Sequence, residues 1–221
     1  ILKERGKQIK ATVATLDATA KQIEAERLTF ALTIPNMLHD DVPAGKTETD
    51  NEEVFKTDHD LTTLTADHVD IGNAAGFRLE NAVNIAGTRF AAYEGDIARL
   101  ERAIGNFFLD THIDEHGYTE VAVPFIANED ALIGTGQLPK FGDDMFKIDL
   151  NGRTAYLIPT AEVPLTNLYR DRTLNEADLP IRVTALTPCF RAEAGTYGKD
   201  TRGLIRQHQF DKVELVQITT P

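Results

Sequence analysis

Leu2, Ile9, Leu16, Ile23 and Phe30 recur every seven residues, and Gly6, Val13, Ala20 and Arg27 form a weaker series between them. An apolar stripe that narrow suits the seam of a two-helix coiled coil better than a globular core. Ala11, Ala14, Ala18 and Thr19 are small enough to let a partner helix approach. The pattern predicts a helix over 1–33, with an earlier helix of an antiparallel hairpin as its partner. A helix lying on the main domain is the alternative. From 34 to 60 the period is lost. Pro35, Asn36 and the run Asp40-Asp41-Val42-Pro43-Ala44-Gly45-Lys46 are turn-formers, followed by acidic and polar residues, which predicts a linker.

Residues 61–221 read as one domain. A helix opens at Asp96, presents Ile97, Leu100, Ile104, Phe107 and Phe108 on one face, and ends near His116-Gly117. A strand over 118–123 follows and stops at Pro124. Apolar segments at 155–158, 181–186, 189–193 and 210–216 are punctuated by Pro159, Pro164, Pro180 and Pro188. Short strands with intervening helices predict an α+β domain: a mostly antiparallel sheet flanked by helices. No glycine-rich turn joins a strand to a helix, so neither a dinucleotide fold nor a P-loop is supported.

Composition narrows the function. The 221 residues allow one substantial domain plus an appendage, and 42% hydrophobic residues provide for a core. A formal charge of −12 argues against coating nucleic acid nonspecifically, although 23 Lys plus Arg suffice for a local basic groove. The lone Cys189 excludes an internal disulfide and fits a reducing cytoplasm. No apolar run is long enough for a membrane span. The chain opens on Ile1-Leu2-Lys3-Glu4-Arg5 in mid-pattern, which reads as the interior of a longer helix and suggests a fragment.

The chemistry concentrates near the C-terminal end. Arg191 and Glu193, two apart, are expected on one face of a strand. Arg191 offers a rigid fork of donors to a phosphate or carboxylate, as adenylate formation requires when charge grows on an α-phosphate. Glu193 could accept from an adenine amino group or hold Mg²⁺ against phosphates. A cross-strand ion pair is the bland alternative. The glycine-rich, charged loop 194–203 leads to Arg206, a second anion contact, and to Phe210 and Glu214 on one side of a further strand. Phe210 could lie against a nucleobase and Glu214 could receive an ammonium; a core phenylalanine beside a surface glutamate is the other reading. Thr160-Ala161-Glu162, between Pro159 and Pro164, is expected to be stiff and non-helical, suited to an amino acid's amine. Equally, Thr160 could cap a helix starting near Val163. His112, His116 and Asp110 read as solvent or interface residues rather than metal ligands. His39, His59 and His68 lack ligand spacing, His208 reads as support, and Cys189 as an inert buried thiol.

Taken together these residues resemble the seryl-tRNA synthetases, class II aminoacyl-tRNA synthetases, across essentially all of 1–221. The first class II signature resembles 96–124, whose helix, strand and terminal Pro124 form the dimer interface in that family. The second resembles Phe190-Arg191-Ala192-Glu193 through to Arg206 and Phe210. The segments 134–141 and 160–162 are more particular to the serine enzymes, and 201–210 is highly specific. The resemblance implies that Thr160, Ala161 and Glu162 line a serine pocket and that Glu214 contacts L-serine. It implies that Arg191, Ala192, Glu193, Arg206 and Phe210 bind ATP, with Arg191 and Arg206 catalytic and Mg²⁺ met through Glu193. Residues 1–33 resemble the second helix of a tRNA-binding coiled-coil arm, 34–60 a linker and 61–221 an incomplete catalytic domain. The implied partners are tRNA(Ser), tRNA(Sec) as a further candidate, and a second copy of the chain; a membrane is not among them. A third signature would follow Pro221, so the intact protein is expected to be active and this chain alone inactive. Two rivals are activation of a serine-like amino acid for a carrier protein, and a non-catalytic, tRNA-binding dimeric module.

Overall fold

The computed structural model describes residues 2–58, 66–194 and 202–220. Expectations placed on Ile1, His59, the boundary between 60 and 61, the loop positions 195–201 and Pro221 lie outside them. The chain divides into two units, Ile1–Thr62 and Thr63–Pro221.

The first unit is dominated by α1 (Leu2–Ala31), a helix of 30 residues in which no position is buried. Four threonines, at 12, 15, 19 and 29, return their hydroxyl hydrogens to the carbonyl four residues earlier, so the polar face satisfies itself. Leu2, Ile9, Leu16, Ile23 and Phe30 are all more than half exposed. The stretch after it is irregular apart from one tight turn at Glu48–Asp50, where the Asp50 carboxylate accepts from the backbone N–H groups of Lys46 and Thr47.

The second unit begins with two short helices, α2 (His68–Ala75) and α3 (Leu79–Ala86), followed by α4 (Asp96–Asp114). Two three-stranded sheets follow. In one, β1 (Thr119–Glu120) runs parallel to β5 (Ile181–Phe190), which pairs antiparallel with β6 (Gln209–Ile218) from Ile181↔Ile218 to Phe190↔Gln209. In the other, β4 (Thr154–Leu157) lies antiparallel between β2 (Ile126–Ala127) and β3 (Lys147–Asp149). This is the α+β arrangement that the pattern predicts.

Two short helices sit beside the sheets: α5 (Glu129–Gly134) and α6 (Glu162–Asn167). α6 joins two apolar clusters. Its Val163 packs with Leu132, Leu138, Met145 and Tyr156, while its Leu165 packs with Ala161, Val183 and Ala185. Pro164 sits in the first turn of α6, where its missing N–H has no helical partner to lose.

Three expectations need correction. The helix at 96 stops at Asp114, with the left-handed Gly117 (φ 68°) beyond it. Of its forecast apolar face, Ile97 is half-buried while Leu100, Ile104, Phe107 and Phe108 are exposed; Leu109 is buried, and a Cβ on Gly105 would lie 3.2 Å from Leu186. The helix therefore turns its smaller face to the sheet and leaves the larger one uncovered. The segments 181–186 and 189–193 are not separate strands, because β5 runs through Pro188. The backbone nitrogen of Phe190 bonds the Ile158 carbonyl on the side away from β6, and position 188 faces the same way. There β1, paired only at Val183 and Thr184, has already ended, so no partner misses a donor at Pro188.

Because Leu165 is fully buried where α6 meets the β5 cluster, Leu165→Ala is expected to cost about 2–5 kcal/mol of stability. Urea unfolding measures this, and a loss below about 1 kcal/mol would mean that α6 is not anchored there.

Candidate functional site

β5 ends at Phe190, and the next three residues leave the sheet along a path held by other parts of the chain. The Arg191 N–H donates to the His208 carbonyl at 3.0 Å, and the Ala192 N–H to the Asp144 carbonyl at 2.8 Å. The Asp144 carboxylate then accepts from the Ala194 N–H at 2.7 Å. Between these anchors Glu193 adopts φ 51°, a left-handed conformation uncommon for a side chain other than Gly, Asn or Asp. Arg191 and Glu193 are therefore not neighbours on one strand face. The turn, and not strand alternation, brings them together.

The turn delivers Glu193 to Arg206: their side chains meet at 3.0 Å, with the carboxylate only 14% exposed. The Arg89 guanidinium donates to the Glu193 carbonyl at 3.4 Å. The Arg191 Nε donates to the Pro159 carbonyl at 3.3 Å, and its guanidinium carbon lies 5.2 Å from the centre of the Phe210 ring, within cation–π range. His208 braces the turn through its Nδ1, 2.9 Å from the Arg191 carbonyl, and packs against Phe90 and Phe146. Its expected supporting role matches this placement.

A second group of contacts lies beside the first. The Thr160 hydroxyl donates to Glu214 at 2.6 Å, and Lys212 Nζ meets the same carboxylate at 2.5 Å. The Glu162 N–H in turn reaches the Thr160 oxygen at 3.3 Å. A cleft of about 410 Å³ joins the two groups, with Arg191, Arg206 and Lys212 among its walls facing Asp144, Glu162 and Glu193. Three cations and three carboxylates in a space that size suit a ligand carrying both signs of charge.

The triplet at 160 follows the helix alternative and not the non-helical one, with Ala161 and not Thr160 as the N-cap. Glu162 opens α6, so the segment is not non-helical throughout, and the helix starts one residue before Val163. Ala161 is fully buried with Leu165, Val183 and Ala185, so its side chain packs in the core and not in the cleft. Pro124 lies in the exposed connection between β1 and β2. His112 and His116 bring their Nδ1 atoms to 2.9 Å at the exposed end of α4. Among the described residues no group of three or more His, Cys, Asp or Glu side chains could hold a metal ion.

Sequence reasoning missed Lys212, Asp144, Gln137 and Arg89. Lys212 had a signal, since period two puts it on the same face of β6 as Phe210 and Glu214. Asp144 had none: its partners lie fifty residues away in sequence and are backbone groups. Gln137 lines the cleft from the segment 134–141, which the resemblance singled out only as a whole.

Comparison with known proteins agrees with this geometry. The family described as tRNA synthetase class II core domain (G, H, P, S and T) matches residues 145–221. The serine--tRNA ligase of Herminiimonas arsenicoxydans is 52% identical over 223 residues, covering 98% of this chain and 51% of that protein. That of Desulforapulum autotrophicum is 54% identical over 212 residues, 95% of this chain and 49% of that protein. Among solved structures, the cytoplasmic serine-tRNA ligase of Naegleria fowleri in complex with AMP superposes with a TM-score of 0.81 at 29% identity, over 92% of this chain and 48% of that one. Seryl-tRNA synthetase from Pyrococcus horikoshii complexed with ATP gives 0.77 at 28%, over 95% and 51%. The chain thus spans about half the length of the curated relatives it matches.

Cys189 lies under the Phe210 end of the sheet, fully buried, and burial pushes its thiol above the ordinary range. In the native protein it is expected to react with a soluble disulfide reagent at least about 100-fold more slowly than in denaturant. Comparable rates in both states would contradict this packing.

Proposed function

The chain belongs to the seryl-tRNA synthetases of class II, and from that premise we propose that its cleft activates L-serine with ATP and serves transfer of the seryl group to tRNA(Ser). The observation that carries the proposal is the convergence of Arg191, Arg206 and Glu193 on one cleft with the Thr160–Glu214 contact beside it.

The α-phosphate gains negative charge as the serine carboxylate attacks it, and preorganised guanidinium groups stabilise that charge more in the transition state than before it. Arg191 and Arg206 supply those groups. Phe210 offers its ring to adenine, while the Arg191 side chain stays pinned over it. Glu214 receives the serine ammonium, which then shares the carboxylate with Thr160 and Lys212. Thr160 and Glu162 hold the amino-acid end, with Ala161 setting their spacing from the core. Mg²⁺ fits this donor set: one hard carboxylate, Glu193, beside substrate phosphate oxygens is a usual arrangement for that ion. When bound it neutralises phosphate charge. Glu193 would hold the ion, and Arg206, which contacts that carboxylate at 3.0 Å, would stand beside the phosphates.

The uncovered face of α4, together with Phe125 and Ile126 near the exposed Pro124, supports a homodimer through that surface. The long exposed α1 supports a tRNA-gripping arm, through which tRNA(Ser) and, as a second substrate, tRNA(Sec) are held. A transfer to a carrier protein gives that helix no task. A cytoplasmic location follows from the same function, and no helix among the described residues is long and apolar enough to cross a membrane.

Serine-dependent exchange of pyrophosphate into ATP by the protein that carries this chain is the test. Arg191→Ala is expected to lower it about 10²- to 10³-fold while leaving dimerisation intact; near-normal exchange by the variant rejects the assignment. Deleting 2–31 is expected to spare exchange and reduce charging of tRNA at least about tenfold. Equal charging by the deleted protein would remove the arm from the proposal.

A further inference from the structure

α2 contributes nothing to the walls of the cleft, yet its first turn grips three consecutive residues just upstream of Arg206. Asp67 is the N-cap of α2, and its Oδ1 accepts from the N–H groups of Val69 and Asp70 at 2.9 and 3.0 Å. Its other oxygen is ion-paired with Arg202. Asp70 takes the second arm of the same guanidinium at 2.8 Å. The Leu204 N–H donates to His68 Nε2 at 3.0 Å, which requires that nitrogen to carry no proton. Between them Gly203, at φ 79°, passes so close that a Cβ would lie 2.0 Å from His68 Nε2 and 2.6 Å from Val69. Sequence patterning gave His68 no role.

Exposed ion pairs of this kind contribute little to global stability. Their effect here is local. Three adjacent residues are tied to one helical turn, and Arg206 stands two residues beyond the last of them. The short path between is braced too: Gln207 Nε2 donates to the Leu204 carbonyl at 3.1 Å, and the His208 N–H donates to the Arg89 carbonyl at 2.8 Å.

We propose that Asp67, His68 and Asp70 form a latch that positions Arg206, fixing its backbone before nucleotide arrives. They are positioning residues and touch no substrate. The role given to Arg206 rests on the reading of the cleft as a nucleotide site. Ordering an anion-binding side chain in advance lowers the entropy lost on binding and favours a correctly aimed guanidinium. The latch should therefore govern ATP and leave the serine end, held by Thr160 and Glu214, alone.

The double variant Asp67→Asn, Asp70→Asn separates the latch from the helix, because asparagine caps as well as aspartate but cannot pair with Arg202 by charge. In the full-length protein without nucleotide, amide hydrogen exchange across 202–208 is expected to rise about tenfold while the melting temperature stays unchanged. The KM for ATP in pyrophosphate exchange is expected to rise about tenfold, with the KM for serine within about twofold. Arg202→Ala should reproduce both effects, and Arg202→Lys should restore part of each. Unchanged amide exchange across 202–208, or parallel rises for ATP and serine, would overturn the latch. Absence of serine-dependent exchange in the unaltered protein would instead reject the reading of the cleft, while the amide measurement still decides whether the latch exists.

Discussion

Ten residues of β5 lie against ten of β6, and the register of that pairing determines where Arg191, Lys212 and Glu214 can stand. Phe190 opposite Gln209 places the exit of one strand beside the entry of the other, so Arg191 bonds His208 as soon as the strand ends. Ala185 opposite Glu214 leaves room for the Glu214 side chain to reach Thr160, and the buried Thr184 hydroxyl fastens the Glu214 carbonyl at 2.9 Å. A slip of one residue would turn Phe210, Lys212 and Glu214 to the opposite face, taking Lys212 from the cleft wall, Glu214 from Thr160 and Phe210 from Arg191. Buried Val183 and Ala185 oppose such a slip, since it would carry apolar side chains to the wrong side.

Within that frame the charges are held in pairs. Partly buried carboxylates and guanidinium groups are costly to desolvate unless each has a partner. Glu193 meets Arg206, Glu214 meets Lys212 and Thr160, and Arg191 has a carbonyl and an aromatic face. A phosphate could take the place of Glu193 at Arg206, and an ammonium that of Lys212 at Glu214. The pairing thus keeps the side chains aimed while leaving them exchangeable, and the left-handed turn at Glu193 is the backbone strain that accompanies such aim.

The two large uncovered apolar surfaces have a different logic. α1 shows its heptad stripe; in the other unit α4 shows Leu100, Ile104, Phe107 and Phe108, although the sheet against that helix buries smaller residues well. Large apolar side chains shown to water are what the proposed arm and dimer surfaces would cover. α4 stands at the junction of both demands, packing Gly105 and Leu109 toward the sheet and its bulky residues outward.

Periodicity alone was enough for the long helix, for the α+β class and for the strand that carries Phe210, because 3.5- and 2-residue repeats are local properties; Arg191 was expected on a strand and stands just past the end of one. The types of the chemical groups were also legible, since a rigid guanidinium fork and a carboxylate announce what they can bind. Tertiary structure decided the rest. Which face of α4 would be buried depended on Leu186 approaching Gly105, and nothing near either residue encodes that approach. Pro188 reads as a strand break until β1 is seen to end at Glu120. Asp144 and the grip of Asp67, His68 and Asp70 on Arg202–Leu204 join segments fifty to more than a hundred residues apart. Local pattern reports what a residue prefers; only the packed chain reports what it meets.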